Sequence, residues 1–408
     1  MQKPGEQVMA RIMLPERRMR KAVAVGFALA AAACAGTVGT SGPGGDDDSA
    51  GDAVVTDGGP DQEKETRVLP APPPPVVVSA EDRGFLSKPA TALGRDGGMA
   101  AVIGGQLVWV FGDTLLTVAA QDTGLTLRSS TAARGPAGPW TAASNALDEP
   151  LDGSGAPFEA IPFSADELAF NAANFPANGR RVANWVSAVF AAPGAGDGLV
   201  FFEKVDCDHA SFQARGEMWI DRLHAPALVS EGQPTRLFGP GERTFRPSEL
   251  SQDGWVYLVS AQLDFVTFVY SIARVPVAQV GERDAYRFWN GSDWVASQEG
   301  LAPLPGAVMG GNAASLTWNP HLGKYLLVSS TPTTIQLRVA DSPVGEWSEP
   351  VEVSQGVAPP YAGATFGNYA GHEQPALRSA DGKTIAVSYF NPTGEFDGHI
   401  RLITITLQ

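Results

Sequence analysis

The chain has 408 residues, a formal net charge of −15 at pH 7, 46 glycines, 32 prolines and two cysteines. The first 33 residues carry a net +4, which leaves −19 on the remainder; a body this acidic, with no basic stripe, argues against nucleic acid as a partner and suits a neutral hydrated polymer such as a polysaccharide. Two cysteines, one of them in an export signal, leave no disulfide framework.

Arg17 to Lys21 form a positive segment, and Ala22 to Ala33 an apolar run too short to span a bilayer as a mature helix. Small residues leading into Cys34 resemble a bacterial lipoprotein signal, so residues 1–34 are expected to be removed up to a lipidated Cys34; an ordinary cleaved signal is the alternative. By analogy with bacterial lipoproteins, Ala35 after that cysteine favours anchoring at the outer membrane or cell surface. Residues 35–80 are Gly, Ser, Asp and Pro, with Asp46-Asp47-Asp48 and Pro72 to Pro75. Such a segment cannot bury a core and reads as a disordered tether reaching about 35–40 Å.

Residues 81–408 are predicted to form one all-β domain. The stretch from Gly94 to Thr117 reads as a tight hairpin, with apolar runs flanking Gly104-Gly105. If 104 pairs with 105, facing positions place Asp96 opposite Asp113, with Cα atoms about 4.5–5.5 Å apart unless Gly97-Gly98 introduces a bulge. Like charges this close push one pKa above the other, which makes an acid and a base from similar groups; two solvated turn residues are the alternative. Further hairpin-rich pieces begin near Asp197, Asp253, Ser315 and Asp381, at the spacing of propeller blades. Five units, with the last strand at Ile400 to Leu407 sharing a blade with the chain's beginning, predict a five-bladed β-propeller; a large sandwich is the alternative. Residues 142–181 read as a long loop beside the cleft, without recognisable motifs. Asp206-Cys207-Asp208-His209 looks like a metal cluster, but neighbours on a strand point to opposite faces, so Cys207 reads as a lone structural or surface thiol.

The strings GRDGG, WVFGDT and Ser129 to Ala133 resemble the opening blade of DUF4185, a five-bladed propeller family some of whose members are endo-D-arabinanases of glycoside hydrolase family 183. TWNPHLGKYLLV with RVADSPVGEWSEP, and Tyr361 to Tyr389 with GHEQP, are similar to later blades of that family and, more distantly, of glycoside hydrolase family 43. The resemblance implies hydrolysis of furanosidic linkages by a carboxylate pair and assigns that pair to Asp96 and Asp113. Many relatives have His-Pro-Glu where this chain has His372-Glu373-Gln374-Pro375. Glu373 and Glu249 are candidates for further catalytic carboxylates. Arg95, Trp318, Tyr361, Tyr369 and His372 are candidate sugar contacts. No cofactor is expected, and a calcium ion on the axis, as in some family-43 enzymes, has no diagnostic ligand cluster. The expectation is a monomeric, surface-tethered hydrolase of an arabinan-like polysaccharide, touching the membrane only through its lipid; a non-catalytic carbohydrate-binding propeller is the alternative.

Overall fold

Gly104 and Gly105 take positive φ of 58° and 79°, and the strands they join, Ala92–Ile103 and Gln106–Leu116, pair from Ile103 with Gln106 back to Ala92 with Leu116. The hairpin predicted from the glycine pair is therefore present. The computed structural model describes residues 70–192, 196–208, 212–250, 254–264, 267–309, 311, 313–364, 367–394 and 397–408. The expected signal with Cys34, and the expected tether up to residue 69, lie outside the described residues.

Five antiparallel sheets form the blades of a β-propeller. The first blade comprises Ala92–Ile103, Gln106–Leu116 and Thr131–Gly135, with Leu127–Arg128 on the same edge. The second runs outward from Arg181–Ala191 through Gly198–Cys207 and Phe212–His224 to Thr235–Phe238. The third begins with Arg246–Leu250, Trp255–Asp264 and Thr267–Pro276, and the fourth with Ala314–Asn319, Lys324–Ser330 and Ile335–Ala340. The fifth orders Tyr369–Glu373, Thr384–Pro392 and Gly398–Leu407, and its outermost strand is Val77–Phe85. Ala80 pairs with Ile405, so the chain's two ends close the ring in one blade, as the sequence suggested. That strand begins at Val77, four residues before the predicted domain start.

Alternation along each strand supplies both faces of each blade. Leu107, Trp109 and Phe111 pack with Ala386, Phe390 and Leu402 of the fifth blade, whereas Val108 and Val110 pack with Val186, Val200 and Phe202 of the second. Successive side chains on a strand point to opposite faces, so an unbroken apolar run such as Leu107 to Phe111 fills two interfaces. Three further clusters occupy the remaining interfaces: Phe201 with Leu258, Leu316 with Val259, and Leu326 with Ile403 belong to one each.

The predicted loop at residues 142–181 is partly helical. A 3-10 turn spans Ala142–Asn145 and a helix, α1, spans Ala165–Asn178. Ser164 and Glu167 form a reciprocal capping box, and Gly179 closes the helix in the left-handed region with φ 71°. The Ser164-Ala-Asp-Glu167 string carried that start signal in the sequence. Asn171 of α1 accepts a hydrogen bond from Val182 N at 2.7 Å and donates to Val182 O at 3.0 Å, which fixes the start of the second blade's inner strand.

Candidate active site

The inner strands leave an axial pocket of about 70 Å³ lined by Asp96, Trp185, Glu203, Arg246, Tyr369 and His372, among others. Such a volume holds only a few water molecules.

Asp96 reaches it through an irregular stretch of the first hairpin. The predicted register holds on both sides, with Arg95 opposite Thr114 and Met99 opposite Val110, but bulges at Arg95–Gly97 and Gly97–Met99 take Asp96 out of the ladder. Gly97 and Gly98 turn there at φ 73° and 110°, a conformation other residues adopt only with strain. Gln374 and Ser388 from the fifth blade satisfy the loosened backbone. Gln374 donates to Gly98 O at 3.0 Å and accepts from Ala100 N at 2.9 Å, and Ser388 donates to Gly98 O at 2.9 Å. The Asp96 carboxylate lies over Gly112, where any Cβ would overlap its Oδ1.

Burial and the neighbouring Asp113 charge push the Asp96 carboxyl up to about 7, against the Tyr369 hydroxyl, Arg181 and the Asp113 N–H. Tyr369 donates to Asp96 Oδ2 at 3.2 Å. Asp113 is buried and stands behind Asp96. Its Oδ2 pairs with Arg181, and its Oδ1 accepts from Trp185 Nε1 at 3.1 Å. Burial raises the Asp113 carboxyl as well, with Arg181 and Trp185 pulling the other way. Asp113 keeps a cation in contact and Asp96 does not, so a proton shared by this coupled pair resides on Asp96. Burial works against the Arg181 charge, but Asp113 outweighs it. Glu159, accepting from Ser130 N at 2.7 Å and Ser130 Oγ at 2.9 Å, is pushed up to about 7 by burial.

Across the pocket, Arg246 donates to Glu203 Oε1 through Nε at 3.2 Å and Nη2 at 3.1 Å. His372 is buried, and burial with the Arg246 charge brings it down to about 4, so its imidazole is neutral at pH 7. Tyr369 and His372 are aimed by a bulge between them, at which Ala370 takes φ 53°, a costly backbone conformation of the kind found at sites.

The structure thus brings Asp96, Tyr369 and His372 to one pocket, with Asp113 directly behind. It places other candidates elsewhere. Arg95, next to Asp96 on the strand, points the opposite way: buried, it pairs with Glu149 at 2.8 Å, donates to Ser87 O at 2.6 Å and covers the Phe111 ring at 3.8 Å. Glu373 is buried between Thr317 and Arg378, the latter at 3.1 Å, and does not line the pocket. Trp318 packs edge-on against Tyr325 at 5.1 Å, and Tyr361 is exposed in a loop; neither lines the pocket. Glu249 belongs to the third blade's inner strand, and its side chain lies outside the described residues. Cys207 is a buried free thiol pushed up to about 12 by burial, and His209 lies outside the described residues. Among the described residues no group of three His, Cys, Asp or Glu is placed to hold a metal ion.

Glu203, Arg246, Trp185 and Arg181 were not singled out from the sequence. Glu203, set directly after the apolar run Leu199 to Phe202, was the available signal for the first.

No curated protein matches the sequence. Solved structures similar to the chain include a family 117 glycoside hydrolase from Zobellia galactanivorans, at 10% identity over 80% of this chain and 90% of that one, with a TM-score of 0.46. Another is the catalytic domain of a family 62 α-L-arabinofuranosidase from Coprinopsis cinerea, at 11% identity over 82% and 98%, TM-score 0.44. A third is a protein of unknown function from Dyadobacter fermentans, at 12% identity over 82% and 100%, TM-score 0.43. Over residues 209–390, a span that holds Arg246, Tyr369 and His372 but not the opening hairpin, the sequence matches the family model of a domain of unknown function, DUF4185.

Proposed function

We propose that this propeller is a glycoside hydrolase acting on an arabinan-like or other furanosidic polysaccharide. The observation that carries the reading is a carboxyl, Asp96, that holds its proton up to about pH 7 on the floor of an axial pocket that a second carboxylate, Glu203, also lines. Asp96 then donates its proton to the glycosidic oxygen as the bond to the anomeric carbon breaks. Glu203, oriented by Arg246, is the carboxylate on the other side of the ring; it attacks the anomeric carbon or takes a proton from the attacking water. Asp113 acts through Asp96: its charge opposes ionisation of the neighbour, and it is a positioning residue. Tyr369 and Trp185 line the pocket as aromatic surfaces for a sugar, and neutral His372 offers one donor and one acceptor. Export and anchoring through Cys34 belong to the same proposal and rest on the sequence of residues 17–35.

A binding propeller without catalysis is the second reading. It takes its support from Asp113, whose two oxygens are already committed to Arg181 and Trp185. Incubation of the full chain, wild type and Asp96→Asn, with arabinans and other plant and envelope polysaccharides separates the two. Oligosaccharides released by the wild type alone establish hydrolysis; binding without product from either establishes the second reading.

A further inference from the structure

A larger cavity, about 510 Å³, opens where α1 meets the second blade, lined by Asp166, Glu167, Phe170, Arg180, Val182, Asp206, Cys207, Asp208 and Arg215. That volume lies within the range of about 300–1,000 Å³ typical of small-ligand sites, and nothing in the proposed chemistry uses it. Its lining divides into two sets. Glu167 pairs with Lys204 at 2.6 Å and Asp206 with Arg215 at 2.6 Å, so these form a fixed polar rim. Asp166 and Arg180 are exposed and make no side-chain hydrogen bond or ion pair with another described residue. The Arg180 guanidinium stands 5.8 Å from the centre of the Phe170 ring, and Asp166 lies four residues before Phe170, on the same face of α1. An uncommitted acceptor, an uncommitted donor and an aromatic ring therefore face one cavity.

We propose that this cavity is a second glycan subsite, which binds an uncharged sugar unit of a polysaccharide. A polyol needs acceptors and donors together and an apolar face for its C–H groups, and the lining supplies all three. Four carboxylates against two guanidinium groups disfavour an anionic ligand, and no three metal-ligating groups converge among the described residues. The proposal rests on the axial pocket being a glycan site only for the choice of probe.

The test is hydroxyl-radical footprinting of the full chain carrying Asp96→Asn, with and without saturating debranched arabinan or arabinoxylan, together with affinity measurements on the same protein further carrying Asp166→Asn and Arg180→Gln. Both added substitutions are at exposed positions, and a thermal melt checks the fold. We expect protection of Phe170 alongside Trp185 and Tyr369, and a loss of polymer affinity of roughly tenfold in the added variant. Protection of Phe170 alone keeps this inference and removes the axial reading. Protection of Trp185 and Tyr369 without Phe170, with affinity unchanged in the variant, overturns the inference and keeps the axial reading. No protection by either polymer overturns it as well.

Discussion

The Asp113 backbone N–H lies near enough to the Asp96 carboxylate to favour its charged form, while the Asp113 side chain turns away to Arg181 and Trp185. The second aspartate therefore presents its amide to the first, and its charge acts from behind. In Asp113→Asn the amide contact remains, the negative charge goes, and Arg181 loses its counter-ion. Both changes favour ionised Asp96, so the alkaline limb of the kcat/KM profile should move down from about 7 by at least about one unit. The variant also leaves a buried cation unpaired, at a cost of about 3–5 kcal/mol; adding Arg181→Gln should recover most of that loss. An alkaline limb that stays put in Asp113→Asn would show that the two groups are not coupled.

Asp96 also links stability to pH. Its folded pKa of about 7 lies above the unfolded value of about 3.9. The folded state thus holds an extra proton between these values, and the stabilisation this confers at low pH is lost as pH rises through about 7. Asp96→Asn has no such proton to lose. Relative to wild type it should gain roughly 1.4 kcal/mol per pH unit as pH rises from about 4 to about 7, on the order of 4 kcal/mol in all, and no more above that. Urea unfolding of both proteins across that window measures it, and a gap independent of pH would contradict the shifted pKa.

Gln374 and Gly112 hold Asp96 in place without touching the pocket chemistry directly. Gln374→Leu removes the partner of Ala100 N, which should cost about 1–3 kcal/mol. Gly112→Ala drives a methyl into Asp96 Oδ1. Each should lower kcat by about tenfold or more, because small displacements of a reacting group are expensive. Steady-state kinetics with a thermal melt on each protein separate lost geometry from lost fold; full activity in Gly112→Ala would mean that Asp96 tolerates another position.

Arg95 makes the opposite case. Arg95→Met leaves Glu149, whose carboxyl burial already raises, without its cation, and should destabilise by about 3–5 kcal/mol while leaving KM near wild type. The double variant Arg95→Met, Glu149→Gln should regain much of the stability. A raised KM in the single variant would return Arg95 to the site.

The ring and its closure were legible because two-residue alternation, glycine-pair turns and hairpin spacing are local signals that repeat. The Asp96–Asp113 neighbourhood was legible for the same reason: one hairpin supplies both residues, so a register sum found them despite the bulge. Glu203 and Arg246 come from different blades, and no local pattern records which of many strand-borne charges will face the axis. Glu373 illustrates the converse. Its motif is next to the site, yet strand alternation sends His372 to the pocket and Glu373 to Thr317 and Arg378. Helix α1 was not expected although its capping box stood in the sequence, because the buried residue it sets against the second blade is polar Asn171, not part of an apolar stripe.

Glu203 supplies the half of the proposed chemistry that comes from the second blade. If it serves as nucleophile or as base, Glu203→Gln should lower kcat by about 10²–10⁴ with the fold intact, because Gln keeps the contact with Arg246 through its carbonyl oxygen. Glu203→Ala opens space beside the anomeric carbon, and added azide, a small anionic nucleophile, should restore turnover and yield a glycosyl azide. Asp96→Ala lacks the proton donor instead, so azide should help it only with substrates whose leaving group departs without protonation, such as a dinitrophenyl furanoside. Rescue of Glu203→Ala on such a substrate, read by product analysis, assigns Glu203 to the anomeric carbon. No rescue, with activity in Glu203→Gln close to wild type, would leave Glu203 as a partner for Arg246 and move the second carboxylate's role back to Asp113.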